Sequence, residues 1–375
     1  MVHLLAGFNN NSDEWNDSLV FSVNRPRLPL PYAFGASFYK RGYNLSAIDF
    51  SSSSLNINNK PLFETIYPKQ SLLKAVKETD ISILWAMQGI KAITQQLLLK
   101  PTSRKIILAS YVWDVKTLPN FRTKKLGIAT HIAAHFAKAL IVMTSEQEKM
   151  ARQSLSSKIP VIKFTCGIDT QYYRSALSWL DVPHSYVPIV EELLTSPYII
   201  MLGSQQRLDK EMLDIVSQSR FKLVRIASYD KNKSLDLHQQ IQKRNISKQF
   251  IFIEKISYPF LRFLLRHANV CAGLVDSRWQ PAGWTVACEA LASGIPLVLY
   301  EGLVSRELQS LGVGSFMKTV AFGDTNAFKN ALSYFIENPL TSIMRDQCQE
   351  FAKKQLDLNK TGDLLVNSVE KLVLS

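Results

Sequence analysis

Residues 276–298 read DSRWQPAGWTVACEALASGIPLV, and this stretch decides the fold. A turn rich in Pro and Gly leads into WTVACEALAS, whose apolar spacing is that of a helix, with Gly294 and Pro296 as its stop signal. PLVLYEG follows as a short continuous apolar run, the pattern of a strand covered on both faces. One residue breaks the pattern. Glu289 is a lone carboxylate in an otherwise apolar helix, and burying it is costly unless hydrogen bonds compensate it.

Outward from this block the same alternation of strand and helix continues in both directions, which is the mark of parallel α/β sheets. Toward the N-terminus, VHLLAGF, NLSAIDF, ISILWAM, KIILASYVWDV, ALIVMTS and VIKFTCG read as strands. LPYAFGASFYKRGY, SLLKAVKETD, IKAITQQLLL, LGIATHIAAHFAKA and SEQEKMARQSL read as helices, the last with Ser145 as its N-cap. A less regular segment with two prolines, 174–196, serves as linker. A fresh alternation begins at PYIIMLGS, and 325–375 is mainly helical. The expected fold is α/β: two Rossmann-like domains facing a cleft, at 1–175 and 176–340, with helices at 341–375 able to pack back on the first domain.

Composition narrows the class. Of the 375 residues, 46% are hydrophobic and 20% charged, which fits a globular chain and not a disordered one. Cys166, Cys271, Cys288 and Cys348 lie far apart, which suits buried thiols in a reducing cytoplasm better than a disulfide framework or zinc site. No secretory signal or membrane-spanning run is evident. Residues 1–175 hold 22 Lys/Arg against 11 Asp/Glu, whereas 176–375 hold 22 against 20. The basic N-terminal half is suited to an anionic partner, such as a phosphorylated substrate or an acidic membrane surface. It carries no recognisable nucleic-acid module, so nucleic acid is not an expected partner.

In open α/β sheets, ligands bind beyond the carboxyl ends of the strands. Gly203 follows PYIIML directly, with Ser204, Gln205, Gln206, Arg207 and Lys210 beyond it. A glycine there permits close backbone approach, and either cation could reach a diphosphate. Asp276 follows NVCAGLV, and Gly283 stands where free N–H groups and the helix dipole attract an anion. Glu307 comes soon after the next strand. His131 and His135, at i and i+4, have no third ligand beside them and read as a packed helix face, so no metal is expected.

In order, MLGSQQRLDK, QPAGWTVACEALASGIPLV and EGLVSRELQSLGVGSFM resemble the GT-B glycosyltransferases, in particular the retaining family-4 group. KIPVIKFTCGIDTQYYR (158–174) is similar to that family's interdomain turn. The resemblance implies a cytoplasmic enzyme that moves a sugar from a nucleotide-sugar co-substrate, with retention and without a metal or cofactor. Glu289 would accept from the ribose, Gly283 and Trp284 would offer N–H groups, and Arg207 and Lys210 would neutralise the diphosphate. Asp276, Pro281, Ala282, Thr285, Gly203, Ser204 and Glu307 would complete the donor site. The family's first glutamate is replaced by Gln280 or Pro281, and the arginine after its glycine by Ser204. A histidine common after the fourth strand is replaced by VWD, which puts Trp113 and Asp114 on the acceptor side. The acceptor implied is a carbohydrate or glycolipid, with peripheral membrane attachment through the basic half. The alternative reading is a non-catalytic GT-B-like partner or scaffold subunit.

Overall fold

The computed structural model describes residues 3–8, 37–38, 41–49, 65–68, 80–85, 106–110, 121–203, 207–227, 230–254 and 256–374. The chain divides into two units: one runs to Asp169 and resumes at Asp357, and the other spans Thr170–Leu356. The boundary expected from the sequence lies at 175/176, with 341–375 together as one helical tail.

In the first unit the described strands form a parallel sheet of order β3-β2-β1-β4-β5-β6-β7. These strands are β1 (His3–Phe8), β2 (Asn44–Asp49), β3 (Thr65–Pro68), β4 (Ile81–Trp85), β5 (Ile106–Ser110), β6 (Ala139–Val142) and β7 (Val161–Lys163). Strand β3, TIYP, is not expected from its sequence: it is short, carries a proline and pairs only at the sheet edge. The expected helices over SLLKAVKETD and IKAITQQLLL, and most of the one over LPYAFGASFYKRGY, lie outside the described residues. Helices α1 (Phe121–Ala134) and α2 (Ser145–Ser154) connect β5 to β6 and β6 to β7. The cap of α2 is Thr144, where the sequence reading has Ser145. Thr144 Oγ1 accepts from the Gln147 N–H and Gln147 Oε1 accepts from the Thr144 N–H, a reciprocal capping box. Leu108, Leu140, Val142, Ala133, Ala151 and Val161 form a core between sheet and helices.

The second unit has a six-stranded parallel sheet of order β10-β9-β8-β11-β12-β13, the doubly wound Rossmann arrangement. Its strands are β8 (Tyr198–Leu202), β9 (Lys222–Ile226), β10 (Phe250–Ile253), β11 (Val270–Gly273), β12 (Leu297–Tyr300) and β13 (Met317–Val320). Helices α3 (Thr170–Arg174) and α4 (Val187–Leu194) precede β8, α4 falling in the segment read as a linker. Then come α5 (Asp209–Ser217), α6 (Lys231–Lys243), α7 (Tyr258–His267), α8 (Trp284–Ala292), α9 (Leu303–Ser310), α10 (Thr325–Glu337) and α11 (Ser342–Leu356). The central strands are buried throughout, which is why they read as unbroken apolar runs. Ile199, Met201, Val216, Val298, Leu332 and Phe335 are part of the core on one face. Between β8 and β11 the winding reverses, which makes the carboxyl ends of these two strands the place where a ligand crevice is expected in such a sheet.

Two helices close the chain in different units. Helix α12 (Leu358–Leu374) belongs to the first: Leu358 N–H donates to Ile168 O at 2.8 Å, and Gly167 N–H to Thr361 Oγ1 at 3.1 Å. Helix α11 belongs to the second and packs on α8 and α3. The contact with α8 runs over Gly294, whose φ of +77° lets the chain leave the helix through a left-handed turn. A Cβ at Gly294 would come within 3.1 Å of Arg345 O and 3.2 Å of Gln349 Cγ. Gly294→Ala should therefore cost about 1–3 kcal/mol, from backbone strain and the displaced helix. Urea unfolding checks this, and an unchanged midpoint would refute it.

Candidate active site

The crevice is built from the ends of β8 and β11. After Leu202 the chain turns at Gly203 (φ +91°), and Arg207 returns to bridge Val275 beyond β11. Arg207 Nε donates to Leu202 O at 2.5 Å, which anchors the guanidinium over the strand end. A Cβ at Gly203 would come within 2.5 Å of Arg207 Nη2. On the other side, a Cβ at Gly283 would meet Val275 Cγ1 at 3.0 Å and Arg207 Nη1 at 3.8 Å. A side chain at Gly203 would thus crowd the guanidinium, whereas at Gly283 the close neighbour is Val275 and the guanidinium stays in ordinary contact.

The Gly203 turn is held from below by Arg225, which is fully buried in β9. Its Nη2 donates to Gly203 O at 2.7 Å, its Nη1 to Ile226 O at 2.7 Å, and its Nε to Asp209 Oδ1 at 2.7 Å. A buried cation is tolerable only when paired and hydrogen-bonded in this way. Sequence reading passes over Arg225, because an arginine in an apolar strand gives no sign of which loop its side chain supports.

Gly283 caps α8 with φ +85°, and the first i−4 bond of the helix runs from Ala287 N–H to Gly283 O at 2.9 Å. Trp284 N–H turns back to Pro281 O at 3.3 Å, which leaves the N–H groups of Thr285 and Val286 ahead of that first bond. Trp284 itself is buried as a core anchor, Pro281 is buried, Gln280 and Ala282 are half-buried, and Thr285 is exposed. The helix start and Arg207 together make a positive pole suited to phosphate.

Glu289 lies about one and a half turns into α8. Its Oε1 accepts from the Tyr173 hydroxyl at 2.8 Å. Burial pushes its carboxyl up to about 7, against the opposing pull of the Tyr173 hydrogen bond and the Arg207 charge. Burial, followed by the charge of Glu289 and its hydrogen bond, pushes the Tyr173 phenol well above the usual range. Tyr173 has no functional signature in the sequence, although it stands in the QYYR end of the turn segment.

The remaining sequence candidates fall elsewhere. Lys210 is exposed on α5. Asp276 is engaged by Arg278, whose Nε and Nη2 reach its two oxygens at 3.0 and 2.9 Å while the guanidinium stacks 3.7 Å from the Phe322 ring. Burial alone would raise the Asp276 carboxyl, but the hydrogen bonds from Arg278 outweigh it and bring it below its ordinary value. Glu307 is buried within α9, and its neighbour Arg306 pairs with Glu301 at 3.4 Å. Ser204, Gln205, Gln206, Trp113 and Asp114 lie outside the described residues. His131 is half-buried and His135 exposed, with rings tilted at 57° and centroids 4.9 Å apart, so the pair does not form the packed helix face expected from the sequence.

Two units that each carry a parallel α/β sheet give the chain the fold of the GT-B glycosyltransferases. Residues 206–355, within the second unit, match the family of glycosyl transferases group 1. Similar solved structures include sucrose-phosphate synthase (tll1590) from Thermosynechococcus elongatus, with TM-score 0.74, 14% identity and 99% of each chain covered. Anabaena HepE in complex with UDP-glucose gives TM-score 0.70 at 15% identity, covering 99% of this chain and 100% of that one. The α,α-trehalose 6-phosphate synthase from Burkholderia multivorans gives 0.71 at 12%, covering 99% and 98%. No curated protein matches the chain by sequence.

The raised carboxyl makes Glu289 a cost to stability. Its value is 4.5 when unperturbed and about 7 in the fold, so the cost is absent below 4.5, grows between 4.5 and 7, and is fully present above 7. Glu289→Gln should therefore stabilise the protein by roughly 2–3 kcal/mol at pH 8 and by almost nothing near pH 4.5. Urea melts at the two pH values test this, and an equal effect at both would refute it.

Proposed function

We propose that the protein is a glycosyltransferase that takes its sugar from a nucleoside-diphosphate sugar, with a uridine nucleotide as the first candidate. The observation that carries the reading is the convergence of Arg207, the Gly283 helix start and Glu289 at the switch point of one sheet. HepE, which shares the fold, is described in complex with UDP, with UDP and glucose, and with UDP-glucose.

In this reading the diphosphate lies against Arg207 and the first turn of α8. As the sugar–phosphate bond breaks, negative charge grows on the departing β-phosphate. A fixed guanidinium and helix dipole stabilise that charge without having to reorganise, and electrostatic stabilisation of this kind is a large source of rate. Glu289 accepts from the ribose hydroxyls, which supply the donors a half-buried carboxylate needs. Gln280 faces the sugar, where an amide can both donate and accept. Retention of configuration and catalysis without a metal are part of this reading and rest on the sequence resemblance to the retaining family-4 group. The acceptor is a carbohydrate or glycolipid, anionic or presented at a membrane surface, drawn to the basic first 175 residues. The enzyme works in the cytoplasm, peripherally attached to that membrane.

Thermal melts with UDP, GDP, ADP, CMP, dTDP and their common sugar conjugates test the donor. A ligand present at about 100 times its dissociation constant adds about 2.7 kcal/mol of stability. UDP and a UDP-sugar should raise the melting temperature of the protein, and the increment should vanish in Arg207→Ala and Glu289→Ala, each measured against its own baseline. No shift with any nucleotide would favour the non-catalytic GT-B partner instead.

A further inference from the structure

Glu289 and Tyr173 are 116 residues apart in the chain, yet their side chains meet at 2.8 Å. We propose that Tyr173 is a positioning residue for the donor site: its hydroxyl sets the orientation of the Glu289 carboxylate toward the ribose. The inference rests on the reading that Glu289 receives the donor's ribose.

The phenol is held by more than packing. Helix α3 is only five residues long, with Thr170, Tyr172 and Tyr173 buried, and it lies against α8 and α11. Two arginines of α7 grip its C-terminal end. Arg266 Nη1 donates to Tyr173 O and Ser175 O, both at 3.3 Å, while Arg262 Nη1 reaches Tyr172 O at 3.5 Å and Ser175 Oγ. Arg262 also pairs with Asp181 at 3.1 Å and lies 4.6 Å from the centre of the Tyr172 ring. The Tyr172 and Tyr173 rings meet edge to face at 5.3 Å. Helix C-terminal carbonyls attract cations, so the guanidinium groups lock the backbone from which Tyr173 projects.

An ionised carboxylate has about four acceptor sites on its two oxygens. Tyr173 fills one on Oε1, which restricts the rotation of the group and, in this reading, turns Oε2 toward the sugar. A hydrogen bond to the charged form also favours ionisation, opposing the burial that raises this carboxyl. Among the described residues, the other ionisable groups that act on the pair are Arg207 beyond β8, Cys271 in β11, and Tyr258 and Tyr172 beside Tyr173. Arg207 alone among these favours the carboxylate. Removing the phenol therefore leaves Glu289 more often protonated at neutral pH, and freer to turn.

Tyr173→Phe keeps the ring and deletes the hydroxyl. Two readouts separate the claims. First, the Glu289 carboxyl, followed by ¹³C NMR and assigned with Glu289→Gln, should titrate at higher pH in Tyr173→Phe, with no ligand present. Second, UDP should bind the variant roughly tenfold more weakly at pH 6.5, with the gap narrowing by pH 8.5. In a Glu289→Gln background, Tyr173→Phe should cost little further affinity. An unmoved carboxyl titration, or an equal loss of UDP affinity at every pH and in both backgrounds, would overturn the positioning role. A titration that moves as expected in a protein that binds no UDP would instead overturn the donor reading.

Discussion

A carboxylate in the middle of an apolar helix is the constraint on which the rest of the second unit depends. Left to itself, Glu289 would take up a proton or destabilise α8. The fold surrounds it with a phenol from α3 and a cation beyond β8, and neither fully offsets burial, since its carboxyl stays at about 7. A group maintained at a cost to stability is characteristic of a site that a ligand completes. The same reasoning applies to Arg225, buried at the base of the Gly203 turn and saturated by one carboxylate and three carbonyls. One charge is incompletely compensated and faces the crevice. The other is fully compensated and supports it.

Sheet order brings these groups together. Strands β8 and β11 are neighbours although 67 residues separate Leu202 from Val270, and the winding reverses between them, the position where such sheets bind ligands. Of two glycines with positive φ, Gly203 leaves the Arg207 guanidinium room that a side chain would take, and Gly283 stays in ordinary contact with it. Behind α8, helix α11 and the arginine-gripped α3 fix the depth at which Glu289 sits. Residues far along the chain thus hold a geometry that would be lost if α8 shifted by a fraction of a turn.

Much of this was legible in the sequence. Apolar runs buried on both faces marked the central strands, and the Gly-Ile-Pro stop marked the end of α8. The edge strands β3 and β13 were harder to see because each is four residues long and only partly apolar. Glu289 stood out by contrast with its helix, but its partner did not, since no local pattern links Tyr173 to a residue so far downstream. Arg207 and Lys210 were equivalent as sequence; only the bridge to Val275 and the bond to Leu202 O separate them. Asp276 showed the limit of position-based reading. It follows a strand as a ligand residue would, but Arg278, two residues on, has already engaged it.

The most direct test of the account is a crystal structure of the protein soaked with UDP. The account predicts the diphosphate within hydrogen-bonding distance of the Arg207 guanidinium and the first-turn N–H groups of α8, with the ribose hydroxyls on Glu289. A nucleotide bound elsewhere in the protein, with Glu289 facing only Tyr173, would contradict it.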